Sequence, residues 1–87
     1  MTDGISIKSL RLSGKIVNII LSVDAEKKIT SEKVKSAASK IVNEFSEDEL
    51  KYYDFQVFVS GNDDLSSMIG YRKNNSEGLS WNYEGGN

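Results

Sequence analysis

The chain of 87 residues contains no cysteine, no histidine and no proline. Without cysteine, disulfides and thiolate metal sites are excluded, and without histidine the commonest general base and the commonest metal ligand are both missing. Nucleophile–base catalysis and zinc chemistry therefore lack the residues they usually need. The sequence predicts a protein that is not an enzyme and that requires no cofactor and no metal.

Long apolar runs and clusters of one charge are also missing. No apolar run approaches the roughly 18 residues of a membrane-spanning helix, and the N-terminus lacks the apolar core of a signal peptide. The formal net charge is −2, and lysines are interspersed with acidic residues. Nucleic-acid-binding surfaces normally have a clustered basic face. We therefore expect no membrane span and no nucleic-acid partner, and a chain start that is either cytosolic or follows a removed leader.

One segment, Thr30 to Phe45, has a sustained helical period. Its apolar residues recur with the spacing of a single helical face. They are Val34, Ala37, Ala38, Ile41, Val42 and Phe45. Thr30 stands where an N-cap is expected, because its hydroxyl can accept a hydrogen bond from a backbone N–H of the first turn. The small alanines in the middle of the stripe favour close packing of this helix against a sheet.

The other apolar stretches alternate with the period of two that is typical of β-strands. Ile5 to Val23 is predicted to form a hairpin that turns at residues 13–15. Three further strands are expected after the helix, at Tyr53 to Ser60, Ser67 to Lys73 and Leu79 to Tyr83. Between the helix and the third strand, residues 46–49 have the Ser-x-x-Glu spacing of a capping box, which predicts a short helical turn.

These elements define a single domain, residues 1–87, of the α+β class with the order β-β-α-β-β-β. The predicted architecture is a five-stranded antiparallel, or mixed, sheet with one main helix on one face. The crossover from the second strand through the helix to the third can make these strands parallel neighbours or lead to the far edge of the sheet. A β-grasp-like arrangement is the alternative.

A second apolar face of the sheet is the candidate interaction surface. With a three-residue hairpin loop, the register places several aliphatic side chains of the hairpin on the face opposite the helix. Aromatic residues from the C-terminal half are added because tyrosine and tryptophan are favoured at protein interfaces. The predicted set is Leu10, Leu12, Ile16, Ile20, Phe58, Trp81 and Tyr83. Exposed apolar patches of this kind usually mark interaction sites.

Three runs near the C-terminus carry a resemblance to a known group of proteins. They read FQVFVSGNDD, MIGYRKN and LSWNY. They resemble the C-terminal part of small uncharacterised Gram-positive cell-envelope lipoproteins, in which a similar strand, an IIGY(K/R) strand and an aromatic strand follow one another. The resemblance covers roughly a third of the chain and brings no catalytic residues. It implies the soluble domain of such a protein, without its lipid-attachment cysteine and leader, and an extracytoplasmic location.

The sequence therefore predicts a non-catalytic binding or interaction module. Its partner is expected to be another protein, of unknown identity, or a second copy of the chain. The alternative is a structural or assembly domain that homodimerises through the second face of the sheet. A small enzyme is the least favoured class.

Purified protein is expected to hold no stoichiometric metal after treatment with a chelator. The segment Asn62-Asp63-Asp64 lacks the regular ligand spacing and the closing glutamate of a calcium loop, and is predicted to be a turn. Elemental analysis after dialysis against EDTA measures the metal content. An ion that survives chelation at one equivalent would contradict this prediction and direct attention to Asp63, Asp64 and the acidic residues at 47–49.

Overall fold

A computed structural model describes residues 4–82 of the chain. These residues form one mixed sheet of five strands, one main helix and one short helix. The elements are β1 (Ile5–Ser13), β2 (Ile16–Val23), α1 (Ser31–Asn43), α2 (Glu47–Tyr52), β3 (Asp54–Ser60), β4 (Ile69–Arg72) and β5 (Ser80–Trp81). The α+β class and the predicted order of strands and main helix are confirmed.

The strands lie in the sheet in the same order as in the chain, β1-β2-β3-β4-β5. β2 and β3 are parallel neighbours, joined by the crossover that contains both helices, and the other neighbouring pairs are antiparallel. The crossover thus makes β2 and β3 neighbours and does not lead to the far edge of the sheet. Because it contains both parallel and antiparallel pairs, the sheet is mixed. Because β1 lies at an edge, the arrangement differs from the β-grasp alternative, in which the first strand is central.

Helix α1 forms where the apolar period predicts it. Thr30 is the N-cap, and its hydroxyl oxygen accepts a hydrogen bond from the backbone N–H of Lys33 at 3.2 Å. The predicted stripe is buried along the helix, and Phe45, just beyond its end, is half-buried. The Phe45 ring meets Phe55 of β3 edge-to-face, with 4.9 Å between ring centroids. The stripe therefore faces the sheet, as predicted.

The core lies between α1 and one face of the sheet, which we call the helix-side face. The seven β2 and β3 residues of this face are at most 6% exposed: Val17, Ile19, Leu21, Val23, Phe55, Val57 and Val59. Parallel pairing sets them side by side, for example Ile19 beside Val57. Burying a side chain of this size stabilises the fold by about 1.5–3 kcal/mol. Two adjacent strands thus supply most of the surface against which α1 packs.

The short helix α2 begins with the predicted capping box. The Ser46 hydroxyl accepts a hydrogen bond from the Glu49 backbone N–H at 3.2 Å, and the Glu49 carboxylate accepts one from the Ser46 N–H at 2.9 Å. Two orphan donors of the first turn are satisfied in this way. The capping box fixes the chain direction just before β3 begins.

The β1–β2 hairpin is confirmed, but its loop is shorter than predicted. Ser13 pairs with Ile16, so the loop contains only Gly14 and Lys15. Gly14 has a φ of +61°, and Lys15 is not among the described residues with positive φ. This is the pattern of a type II′ turn, whose first loop residue needs positive φ and is therefore usually glycine.

A β-bulge at Lys8 changes the register of the hairpin halfway along β1. Near the open end Ile7 pairs with Leu21, as predicted, whereas the next pair joins Ser9 to Ile20. β1 therefore has one extra residue, Lys8, between these two pairs. A shift of one residue sends every following side chain to the other face of a strand.

The bulge makes one prediction wrong. Leu10 pairs with Ile19 and Leu12 pairs with Val17, so both leucines lie on the helix-side face. Ile16 and Ile20 point to the opposite face, since they alternate with these core residues along β2. The four aliphatic residues predicted to share one face are thus divided between two faces.

Ala38→Asp is expected to unfold the domain or to lower its free energy of unfolding by more than about 3 kcal/mol. Ala38 is 0% exposed, so a carboxylate there would be buried against the sheet without a partner. The neighbouring Ser39 is exposed, and Ser39→Asp is the matched control, with an expected change within about 0.5 kcal/mol. Urea or thermal melts measure both. Similar losses in the two variants would show that the buried side of α1 is assigned wrongly.

Candidate interaction surface

The face of the sheet opposite α1, which we call the open face, has none of its β2 and β3 side chains buried. Strand pairing places side chains in rows across this face. The central row runs from Ser9 through Ile20 and Phe58 to Ile69. The next row contains Arg11, Asn18, Gln56, Tyr71 and Ser80. The open face is therefore an ordered surface supported by hydrogen-bonded strands.

The centre of the open face is apolar. Ile20, Phe58 and Ile69 come from adjacent strands, and neighbouring strands lie about 4.8 Å apart. Ile20 and Phe58 are half-buried, whereas Ile69 is 42% exposed and Tyr71, in the next row, is 40% exposed. Three apolar side chains and one tyrosine thus form a continuous strip across β2, β3 and β4.

The open face is also poor in charge. β2 contains no charged residue, and the only charged residue of β3 is Asp54 at its first position. The Asp54 carboxylate accepts a hydrogen bond from the backbone N–H of Asn74 at 2.7 Å. Arg11 lies at the periphery, on the edge strand. The combination of few charges with aromatic and aliphatic residues is typical of the centre of a protein–protein interface.

The structure brings together three of the seven predicted interaction residues on the open face: Ile16, Ile20 and Phe58. Leu10, Leu12 and Trp81 lie on the helix-side face, and Tyr83 lies outside the described residues. Ile69 and Tyr71 also lie on the open face, although they were not predicted there. No local pattern indicated this, because the alternate residues Gly70 and Arg72 are buried by contacts with distant segments.

Trp81 packs onto β4 within the helix-side layer. It pairs with Gly70, and its Cη2 atom lies 2.9 Å from the position that a Cβ atom on Gly70 would occupy. The indole therefore fills the space that a side chain at residue 70 would need. Trp81 is half-buried and packs against the core. Its position makes it part of the fold rather than of the open face.

A buried arginine connects β4 to the end of α2 and to the loop at residues 73–78. Arg72 donates from Nη1 to the carbonyl oxygen of Leu50 at 2.9 Å and from Nη2 to that of Ser76. The same Leu50 carbonyl accepts a hydrogen bond from the backbone N–H of Asn75. Burial of a guanidinium is tolerated here because these carbonyls replace water. The sequence analysis did not identify this role.

An open groove with a volume of about 540 Å³ lies beside the same loop. It is lined by Tyr71, Lys73, Ser76, Glu77, Gly78, Leu79 and Ser80. The groove thus combines two serines with one lysine and one glutamate.

Among residues 4–82 there is no cluster of three or more acidic side chains arranged to hold a metal ion. The Asn62 side-chain oxygen instead accepts a hydrogen bond from the backbone N–H of Asp64 at 3.0 Å, which is an Asx turn. In the same part of the chain, neither helix has the length and apolar character needed to cross a bilayer.

Comparison with known proteins returns no relative of this chain. No family model matches the sequence, and no curated protein or solved structure matches it. The resemblance to cell-envelope lipoproteins therefore stays a prediction. The function has to be inferred from the surfaces of the molecule itself.

Gly70→Ala is expected to destabilise the domain by about 1–3 kcal/mol, because the added methyl group overlaps the Trp81 ring. Trp81 is the only tryptophan, so its fluorescence reports this site alone. Emission is expected to shift to longer wavelength as the ring becomes more solvated. Gly78→Ala is the control, since a Cβ atom there meets nothing within 4 Å. Unchanged emission and stability in Gly70→Ala would refute the packing of Trp81 on β4.

Proposed function

We propose that this chain is a non-catalytic protein-binding module and that the open face of its sheet is the contact surface. The observation that carries the proposal is the strip of Ile20, Phe58 and Ile69 across three paired strands, with no charge at its centre. In a sheet with one face in water, the residues on that face are usually polar and often charged. The composition of the open face is better suited to contact with another protein.

The size of the open face is consistent with this role. Four strands spaced by about 4.8 Å and about seven residues of β3 at about 3.3 Å each give a surface of roughly 400 Å². A standard interface buries about 800 Å² on each partner. The open face alone therefore favours a transient complex, or one that uses neighbouring surface as well.

The chemistry of the face indicates the kind of partner. Its centre offers aliphatic and aromatic contacts, together with the amide groups of Asn18 and Gln56 for hydrogen bonds. Binding would depend mainly on apolar burial and would change little with salt. Base-stacking platforms require a basic groove along the nucleic-acid backbone, and the centre of this face carries no cation. The partner we propose is a protein surface that is itself apolar at its centre.

Homodimerisation through the open face is the second candidate function. Its support is the neutral centre, which allows two copies to face each other without opposing like charges. Two faces of roughly 400 Å² would bury about 800 Å² in total, which is below the size of most stable interfaces. Self-association through the open face alone is therefore expected to be weak and concentration-dependent. For either form, the cell envelope is the proposed setting, supported by the resemblance of the C-terminal strands to envelope lipoproteins.

Phe58→Lys is expected to weaken partner binding at least about tenfold, since a charge would enter the apolar centre of the interface. A photocrosslinking residue at Ile69, 42% exposed, first identifies the partner in the natural host. The purified partner is then titrated with the wild type, with Phe58→Lys and with the control Ser36→Lys on the exposed side of α1. Thermal melts verify that each variant is folded.

Sedimentation equilibrium of the wild type distinguishes the second candidate from the first. A dimer that Phe58→Lys dissociates and Ser36→Lys leaves intact would support self-association through the open face. Equal affinity of wild type and Phe58→Lys for the purified partner, together with a monomeric wild type, would refute both functions of this face.

A further inference from the structure

A second unexplained surface lies on β1, at the opposite side of the sheet from β5. Three aliphatic side chains of this strand are exposed: Ile7 (39%), Leu10 (48%) and Leu12 (58%). Each pairs with a buried residue of β2, namely Leu21, Ile19 or Val17. They therefore lie in the same layer as the core. The cover over this layer reaches Ile5 at the start of β1, which is 2% exposed, but the apolar layer continues along β1 into solvent.

β1 is also an edge strand, and its outer side has no partner strand among residues 4–82. Such an edge offers backbone N–H and C=O groups that can pair with another strand. The bulge at Lys8 interrupts this edge, and bulges and lysines are common devices against unwanted pairing. From Ser9 to Ser13, however, all five residues pair regularly with β2. The regular part of the edge thus coincides with the two most exposed leucines.

The charge of the hairpin differs from that of the chain as a whole. Residues 4–23 contain Lys8, Arg11 and Lys15 and no acidic residue, although the net charge of the chain is −2. Arg11 lies between Leu10 and Leu12 and shares the open face with Asn18, its partner on β2. The Ser9–Ser13 edge therefore presents apolar side chains on one face and a cation on the other.

A second copy of β1 offers Arg11 no acidic partner in any register, because residues 4–23 contain no acidic residue. In antiparallel pairing, the register that places Leu10 opposite Leu12 of another copy also places Arg11 opposite Arg11. Like charges directly opposite each other destabilise a strand pair. An acidic residue at the same place would form a favourable cross-strand pair with Arg11. Charge complementarity thus favours a foreign strand over self-pairing.

We propose that the Ser9–Ser13 edge of β1 binds an extended segment of a partner protein, in which aliphatic residues alternate with acidic ones. The segment would join the sheet as an added strand, and its backbone would pair with the free edge. Its aliphatic side chains would lie beside Leu10 and Leu12, and an acidic side chain would face Arg11. This surface does not include the Phe58 strip, so the proposal stands independently of the function assigned to the open face.

The test uses synthetic peptides and the full chain. A fluorescent peptide of nine residues, the length of β1, alternates valine with glutamate, and a matched peptide has lysine in place of glutamate. Fluorescence anisotropy measures affinity, and amide NMR spectra of labelled protein locate the site. We expect saturable binding of the glutamate peptide, with signal changes centred on residues 9–13. The lysine peptide is expected to bind at least about tenfold more weakly.

Variants on exposed positions of β1 make the test specific. Leu12→Ser is expected to weaken binding of the glutamate peptide several-fold through lost apolar contact. Arg11→Glu is expected to reverse the preference, so that the lysine peptide binds more tightly than the glutamate peptide. A merely structural role of Arg11 would not produce this reversal. Ser36→Lys, on the exposed side of α1, is the control and is expected to leave peptide affinity unchanged.

Four results would overturn the proposal. The first is the absence of saturable binding by the glutamate peptide to folded wild type. The second is equal affinity for the two peptides. The third is peptide binding that Phe58→Lys abolishes and Arg11→Glu does not change. The fourth is a wild-type dimer in sedimentation in which the outward β1 amides, those that do not bond to β2, are protected from hydrogen exchange, because the edge would then be occupied by a second copy.

Discussion

The packing of α1 onto the parallel pair β2–β3 is the interaction on which the rest of the structure depends. Parallel neighbours require a crossover, and here the crossover itself supplies the cover for the strands that it joins. The alanines at the centre of the helical stripe allow the backbone of α1 to approach the sheet, and the valines, leucine and phenylalanine of the two strands fill the layer between them. β1 is added to one side of this unit, and β4 and β5 to the other.

One helix is too narrow to cover a sheet of five strands, and both proposed binding surfaces follow from this shortage. On the helix-side face, the cover includes Ile5 at the start of β1 but leaves Leu10 and Leu12 in solvent. Among residues 4–82 no helix covers the open face, so the strip around Phe58 is available to a partner. The two surfaces differ in chemistry, since the first is a basic strand edge and the second is a neutral sheet face. The two proposed surfaces would allow the domain to bind two partners, or one partner that contacts both.

The local features of the fold could be predicted from the sequence, because each depends on residues close together in the chain. The stripe of α1, the Thr30 cap, the Ser46–Glu49 capping box and the alternation in the strands all belong to this group. The hairpin register could not be predicted, since Ser13-Gly14-Lys15 is compatible with loops of two or three residues and a bulge is decided by pairing along the whole strand. One inserted residue, Lys8, was enough to move Leu10 and Leu12 to the other face. The contact of Trp81 with Gly70 and the buried position of Arg72 depend on distant segments, and no local pattern indicates them.

The hydrogen bonds of Arg72 affect how the molecule unfolds locally. The loop after β4 is tied to the junction of α2 and β3 from several directions: Arg72 bridges Leu50 and Ser76, Asn75 donates to Leu50, and Asp54 accepts from Asn74. Releasing this loop alone would remove the Ser76 carbonyl, one of the two acceptors of the buried guanidinium, which is costly. The loop should therefore not fray independently, in contrast to most surface loops. In terms of cooperativity, residues 73–76 belong to the same unfolding unit as the central strands, and their amide hydrogens should exchange together with those of β3.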